Sequence, residues 1–462
     1  MSPSDLSPAL YDFVWRVLHQ PGLLKARAPQ AAGAEPSHQD KLMEGLVDLL
    51  FDFIAQDKLI APGMRPQLAR LKSPFLSAFS AEPDLMHEPG HPARELCNRI
   101  AAVAIGMGAD QTADQSMATR IEQLIGQLLS RFNGDSSVFK VCLTQFEAYL
   151  GRQLRHQDTL TSLCGEAIDE AEGCAAVAFN TTLALLDYLG PLAIDERVHD
   201  FVTGPWLEVM VHPLSWNPQL RGPETHEALR HGELLPELLW SSQEKKTTRE
   251  RAELAAMLPG LVARIRKGFE LTGLDQERAK QAMDQLVAVH ADVLRGKQGA
   301  PAFGKRVMTL EQLHGRFHSL ALDPNACAGP DGRPILVRPL ALRTALGRRD
   351  VAANTLALVL SYEQYPPMPK DAAWLRQMRV GTAVMLRIDG KEVPACLSAT
   401  SPHGCLFMFS VRAAAGAPHI YSCTSMLKAL HDGHIRPLED SPLFDRALAS
   451  LMGDIDEITA AD

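Results

Sequence analysis

The sequence has no apolar run long enough to cross a bilayer. Its longest apolar stretch covers residues 100–109 and is interrupted by glycine, well short of the roughly 18–20 residues that a membrane-spanning helix needs. Residues 1–19 lack the cationic start, apolar middle and small-residue cleavage site of a secretory signal peptide. We therefore expect no membrane insertion and a cytoplasmic location.

Positive charge and paired cysteines are also scarce. The chain has 46 Lys and Arg against 55 Asp and Glu, a formal net charge of −9. Such a balance disfavours nonspecific binding to nucleic acid, so we expect no nucleic-acid partner. The 8 cysteines include no Cys-x-x-Cys pair, which disfavours a zinc ribbon and a disulfide framework. The length of 462 residues predicts two or three domains.

Motifs of known chemistry are missing or fall in unsuitable local structure. There is no P-loop and no Gly-x-Ser-x-Gly. The segment His87-Glu-Pro-Gly-His91 has the letters of the zinc-protease motif, but Pro89 and Gly90 prevent the helix that would turn both histidines to one metal. We therefore predict no catalytic residue, no metal site and no cofactor.

An acidic segment also lacks the pattern of a metal site. No Glu-x-x-His accompanies it, as a di-iron bundle would require. We interpret it as a solvated helix face. Its members are Glu166, Asp169, Glu170 and Glu172.

Helical periodicity dominates the chain before Val380. Apolar residues recur at helical spacing from Ile121 to Phe132. Pro92 suits the first position of a helix, where its missing N–H costs nothing. Further helices are predicted over residues 309–320 and 340–362.

The period changes at Val380. The runs Thr382–Ile388 and Lys391–Ala399 are rich in strand-forming residues and are separated by Asp389-Gly390. Asp-Gly between two such runs predicts a β-hairpin. A third run, Cys405–Val411, follows a Ser-Pro-His-Gly turn. These runs predict a small closed β-module after a helical body.

The predicted organisation is therefore mainly α with a β-module near the C-terminus. We divide the chain into 1–40 (N-terminal helix and linker), 41–295 (helical body), 296–373 (linker and connecting helices), 374–440 (β-module) and 441–462 (C-terminal tail).

Three blocks of sequence carry a family resemblance. They run from Leu46–Ile54 to His91–Arg94, from Gly204–Trp206 to Leu258–Leu261, and from Val380 to Leu438. In order and spacing they resemble a large bacterial family, domain of unknown function 1631.

The last block of that family is similar to PilZ domains, small β-barrels that bind cyclic di-GMP. Their pattern is Arg-x-x-x-Arg before the barrel and Asp/Asn-x-Ser-x-x-Gly in a turn. Here Arg376 and Arg379 stand three residues apart, and Ser401 and Gly404 are kept while Ala399 replaces the acid or amide. The resemblance implies a C-terminal antiparallel β-barrel with a degenerate binding pattern. Arg376, Arg379, Ser401 and Gly404 are the candidate cyclic di-GMP-binding residues.

Three functions remain open. The first is a non-enzymatic regulatory or scaffolding protein that acts through contacts with an unidentified protein partner. The second is a cyclic di-GMP receptor that uses the C-terminal module. The third is an enzyme of uncharacterised chemistry with a site in the helical body. The scaffolding function predicts an exposed apolar patch around Trp206 and Trp216 or Trp240.

Overall fold

The computed structural model describes residues 8–20, 37–105, 107, 112–212, 231–296, 305–319, 335–361, 368–411, 416–439 and 441–451. The described chain is mainly helical and carries one small mixed sheet. No helix in these ranges is both long and apolar enough to span a membrane.

The N-terminal helices share one core. They are α1 (Pro8–His19), α2 (His38–Gln56), α3 (Arg65–Ala69), α4 (Lys72–Ala81), α5 (Pro92–Ala104), α6 (Thr112–Arg131) and α7 (Ser137–Arg155), with a 3₁₀ turn at Pro83–Met86. The expected stripe in α6 is confirmed, because Ile121, Leu124 and Leu128 are all buried in this core.

The start of α5 also follows the sequence prediction. Pro92 is its first residue, and His91 caps it by accepting a hydrogen bond at Nδ1 from the Ala93 N–H (3.2 Å). The other ring nitrogen of His91 lies 3.0 Å from Glu82 Oε2. His91 is therefore a capping residue that joins two helical segments.

The C-terminal end of the described chain returns to the N-terminal core. A helix over residues 443–451, α18, inserts Phe444 next to Phe75, with their rings stacked 4.8 Å apart. Asn98 Oδ1 accepts the Phe444 N–H at 2.8 Å, and the Arg94 guanidinium pairs with Asp445. The predicted boundary at residue 441 stays a prediction, but this helix packs within the first core.

A second helical core surrounds Trp206. It is built from the C-terminal part of α8 (Thr159–Leu189) and from α9 (Glu196–Phe201), α10 (Leu207–Met210), α11 (Leu234–Ser242), α12 (Thr248–Thr272), α13 (Gln276–Arg295) and α14 (Leu310–His318). Pro205 lacks an N–H, and a π-helical turn, Val202–Trp206, surrounds it. Trp206 is fully buried, so the predicted exposed patch at Trp206 is wrong. Trp240 is partly buried, and Trp216 lies outside the described residues.

The N-terminal half of α8 belongs to a different core. Its residues Cys164–Val177 pack with α15 (Pro339–Gly347) and with one face of the sheet. At 1.5 Å per residue, the 31 residues of α8 span about 46 Å. This one helix therefore links the Trp206 core to the sheet.

The sheet has six strands in the order β1-β5-β4-β3-β2-β6. They are β1 (Ala357–Val359), β2 (Ala383–Ile388), β3 (Lys391–Thr400), β4 (Leu406–Val411), β5 (His419–Ser422) and β6 (Ile435–Pro437). A 3₁₀ turn, Ala353–Thr355, precedes β1. The face of the sheet that points away from α8 packs against α16 (Pro369–Gln377) and α17 (Cys423–His431) in a separate core around Phe409.

The predicted hairpin is confirmed. Strands β2 and β3 are antiparallel, and Ile388 pairs with Lys391 across the two-residue turn. Asp389 and Gly390 have φ of 49° and 77°, the left-handed conformation that such turns require.

The predicted closed antiparallel barrel needs correction. Strand β1 pairs in parallel with β5, and within the described residues the sheet remains open between β1 and β6. The segment that supplies β1 lies in the range 340–362, which the sequence predicted as helix. There α15 ends at Gly347 and the chain turns at Asp350, whose φ is 55°. The division of the chain into domains otherwise stays a prediction.

Candidate functional site

One buried carboxylate holds the turn between β3 and β4. Glu172 lies in the middle of α8 and is 1% exposed. Its Oε2 accepts the Ser401 hydroxyl (2.5 Å) and the Cys405 N–H (3.0 Å). Its Oε1 accepts the His403 N–H at 2.8 Å and lies 3.0 Å from His403 Nδ1. The turn and the long helix are thus joined through a single side chain.

The hydrogen bonds determine the ionisation of this carboxyl. Burial raises the pKa of Glu172, while the Ser401 hydroxyl and the two backbone N–H groups lower it, and the net pKa is below its ordinary value of 4.5. Glu172 is therefore a charged group at neutral pH, and its negative charge is balanced by hydrogen-bond donors of the turn.

Hydrogen bonds between its own residues stabilise the turn. Ser401 N–H donates to Leu406 O (3.0 Å), and Ser401 Oγ accepts the Leu406 N–H (2.9 Å). Gly404 has φ of 72° and donates its N–H to Ser401 O. Ser401 and Gly404 are therefore close together, and the Ser401 hydroxyl contacts Glu172 of α8.

Arg376 and Arg379 lie elsewhere, at a cavity of about 390 Å³. This junction cavity lies between α5, α7, α16, the start of β2 and the segment before α18. Its lining includes Glu95, Asn98, Arg99, Glu147, Trp374, Arg376, Gln377, Arg379, Glu439 and Asp445.

Charges of both signs line the junction cavity. Arg99 is buried, and its Nε donates to Glu147 Oε1 at 2.6 Å while its Nη2 donates to Val380 O. Arg379 is exposed and lies 3.9 Å from Glu95. Burial is the main cause of the raised pKa of Glu439, which Arg446 opposes. A purely anionic ligand would meet carboxylates as well as guanidinium groups here.

The four predicted binding residues therefore occupy two places. Both arginines line the junction cavity, whereas neither Ser401 nor Gly404 is among its lining residues. Their role in binding cyclic di-GMP stays a prediction.

Among the described residues of the helical body, Ser241 and His290 form a buried pair with nucleophile and base chemistry. A second Ser–His contact, between His156 Nδ1 and Ser162 Oγ at 2.8 Å, is exposed. Ser241 Oγ lies 2.9 Å from His290 Nε2 and donates to Leu238 O at 2.7 Å. Burial lowers the pKa of His290 to about 4. It also lowers the pKa of the nearby Lys245, to about 8. Ser241 is fully buried on the helix that supplies Leu238 and Leu239 to the Trp206 core, so a substrate has no access to it in this conformation.

Sequence reasoning missed Glu172. The acidic segment of α8 is a solvated face only at Glu166, which is exposed. Glu172 is buried, Glu170 pairs with Arg348 and Arg349, and Asp169 pairs with Arg155. Among the described residues no group of three or more His, Cys, Asp or Glu side chains is arranged to hold a metal ion. The available signal in the sequence was the run of small apolar residues around Glu172, with Ala171 before it and Cys174 to Ala178 after it.

Comparison with known proteins gives two matches, both to one family. Residues 14–135 match the second domain, and residues 181–287 the third domain, of the protein of unknown function family DUF1631. These ranges contain the first two blocks of the resemblance described above, which they support. Both matches lie before the sheet. No curated protein and no solved structure matches the chain significantly.

Proposed function

We propose that the chain is a member of the DUF1631 family and a cytoplasmic, non-enzymatic regulatory or scaffolding protein that acts through protein contacts. In this proposal its sheet is a PilZ-like module that serves protein contacts and no longer binds cyclic di-GMP. The observation that carries it is the turn at Ser401–Gly404, whose donors bind a protein carboxylate, Glu172. None of the seven described cysteines forms a disulfide, which supports a reducing compartment.

The edge strand β1 is the surface that best fits a protein partner. Among the described residues it pairs only with β5, and its sequence Ala-Leu-Val has neither charge nor proline. The opposite edge, β6, is protected by Pro437, which has no N–H, and by the exposed Arg436 paired with Glu392. An unprotected edge accepts an extended segment as an added strand.

A matched pair of variants tests this proposal. Val359 on β1 and Leu294 on α13 are both 38% exposed, so Val359→Lys and Leu294→Lys change surface charge equally. In affinity capture, tagged wild-type protein is expected to recover a partner protein. The tagged partner should in turn recover this protein. Recovery should fall about tenfold for Val359→Lys, because an edge lysine disfavours strand addition, and should persist for Leu294→Lys.

Two results would oppose the proposal. One is the absence of any reciprocally confirmed partner above background. The other is equal recovery by the two lysine variants, which would remove β1 as the contact surface. Thermal unfolding of both variants is measured first, so that misfolding is not mistaken for lost binding.

A second candidate function is a cyclic di-GMP receptor. It is favoured by the position of Arg376 and Arg379 at one cavity, where Trp374 offers an aromatic face. Calorimetry with cyclic di-GMP tests it. If the protein is a receptor, binding should release heat with micromolar affinity. Arg376→Ala should abolish this heat. Arg387→Ala should keep it, because Arg387 is an exposed arginine of β2 that is not among the residues lining this cavity. If cyclic di-GMP at high micromolar concentration releases no heat, the receptor function is wrong and the protein-contact function remains.

A further inference from the structure

The turn between β3 and β4 has the geometry of an anion-binding site. The N–H groups of His403 and Cys405 both point to one carboxylate, on either side of Gly404, whose φ is 72°. Backbone turns that pass through the left-handed region bring such N–H groups together into concave anion sites. The Ser401 hydroxyl and the His403 ring complete the set.

The number and arrangement of donors fit a carboxylate. Each oxygen of Glu172 has two partners: the His403 N–H (2.8 Å) and Nδ1 (3.0 Å) at Oε1, the Ser401 hydroxyl (2.5 Å) and the Cys405 N–H (3.0 Å) at Oε2. A carboxylate offers about four acceptor positions. The site therefore uses the whole capacity of the group.

We propose that the Ser401–Cys405 turn is a carboxylate-binding site whose resident ligand is the side chain of Glu172. The proposal rests on this geometry and does not depend on the protein-contact function. It accounts for the position of an ionised group in the interior of the molecule, where an unpaired charge is strongly disfavoured. It also defines the ligand class: a small carboxylate, held by two backbone N–H groups, one hydroxyl and one imidazole.

Chemical rescue is the direct test. Truncating Glu172 to alanine removes the two carbons and two oxygens of an acetate ion, so Glu172→Ala leaves a space of matching size and donors. We expect acetate to stabilise this variant against urea, with the folding equilibrium constant doubling when acetate equals its dissociation constant. Chloride at equal ionic strength is the reference.

The matched control is Ile168→Ala. Ile168 is fully buried one turn earlier on α8 and belongs to the same core, so its truncation leaves an apolar space without donors. Acetate is expected to raise the stability of Glu172→Ala against urea relative to chloride. The stability of Ile168→Ala should be the same in both salts. If acetate affects both variants equally, or neither, the proposed carboxylate site is wrong.

A double-mutant cycle keeps the proposal testable if Glu172→Ala does not fold. The cycle uses Glu172→Gln, which keeps the size of the side chain, Ser401→Ala, which removes only the hydroxyl group, and the double variant. We expect the folding equilibrium constant of the double variant to fall much less than the product of the two single reductions, because both substitutions remove the same hydrogen bond. Multiplicative effects would show that Ser401 and Glu172 do not act together and would overturn the assignment.

Discussion

The consequence of a charged Glu172 is a defined pH dependence. Because its pKa in the folded protein lies below the ordinary 4.5, the unfolded chain binds its proton more readily than the native state does. Stability from this group is therefore fully present above about pH 5 and is lost as pH falls through the lowered pKa. The ionised carboxylate is the form that the turn stabilises.

Glu172→Gln is expected to remove this dependence. The amide places an NH₂ group against donors, so the free energy of unfolding at pH 7 should fall by about 1–3 kcal/mol. Below pH 4.5 the difference from wild type should shrink, since the wild-type carboxyl becomes protonated. Urea unfolding from pH 3.5 to 7 measures both effects, with the exposed Glu122→Gln on α6 as the control. Parallel curves for wild type and Glu172→Gln would contradict the assigned ionisation.

Gly381 is the residue at which the start of β2 meets α5. Its φ is 98°, and a Cβ there would lie 3.3 Å from Val103 Cγ2 and 3.4 Å from Arg99 Nη2. Gly390 in the hairpin also has a positive φ, 77°, but a Cβ there would meet nothing within 4 Å. The two glycines therefore differ in their surroundings and share the backbone requirement.

Alanine at each position separates the two effects. Gly390→Ala should cost about 1–2 kcal/mol through its backbone conformation. Gly381→Ala should cost about 1–3 kcal/mol more, because the added methyl crowds α5. Chemical denaturation of both variants gives the difference. Equal losses would mean that α5 yields to the methyl group.

At the scale of elements, α12 carries two glycines in opposite surroundings. A Cβ at Gly268 would lie 2.8 Å from Trp206 Cζ3 and 2.9 Å from Val209 Cγ1, while Gly260 is exposed and has open space. Gly268 thus allows the helix to approach the tryptophan. Gly260 lies mid-helix, where glycine is less favourable than alanine.

The pair should respond with opposite signs. Gly260→Ala is expected to raise the free energy of unfolding by about 0.5–1 kcal/mol through helix propensity. Gly268→Ala is expected to lower it by about 1–3 kcal/mol through overpacking. Thermal unfolding followed by circular dichroism measures both. A stabilising Gly268→Ala would show that Trp206 moves away without cost.

Local elements were predictable because their signals are local. The start of α5 depends on Pro92 and its neighbour, and the β2–β3 hairpin on Asp389-Gly390. Strand β1 escaped prediction because its partner is β5, 62 residues later, as Ala357 pairs with His419. Parallel pairing needs no turn signal between the strands, so the sequence around β1 carries no indication of it.

The same reasoning applies to the candidate site. Ser401 and Gly404 were recognised by their turn pattern, and the structure brings those two together. Glu172, the hydrogen-bond partner of Ser401, lies 229 residues earlier in the chain. Neither helical periodicity nor motif spacing relates residues so far apart, so a buried carboxylate was interpreted as a surface charge.

At the scale of the whole molecule, the chain closes on itself. Phe444 in α18 is fully buried beside Phe75 of α4, although 369 residues separate them (444 minus 75). The N-terminal core is therefore complete only when the C-terminal helix is present. The two ends of the described chain should behave as one cooperative unit.

Phe444→Ala tests this cooperativity. It should lower the free energy of unfolding by about 3–5 kcal/mol through the cavity that it leaves. Hydrogen exchange should show faster exchange throughout α2 and α4, since they share the core. Leu294→Ala, at a partly exposed site on α13, is the control. Loss of protection confined to α18 would contradict a shared unit.

The distance between Glu172 and its turn also has a consequence for biosynthesis. Translation at about 5–20 residues per second delivers Ser401 roughly 10–50 s after Glu172. During that interval the half of α8 that packs on the sheet, Cys164–Val177, has been made without its covering strands. The nascent chain then presents an apolar helix face with an acidic residue at its centre. Exposed apolar surface of this kind makes a partly synthesised chain prone to aggregation until its packing partners emerge.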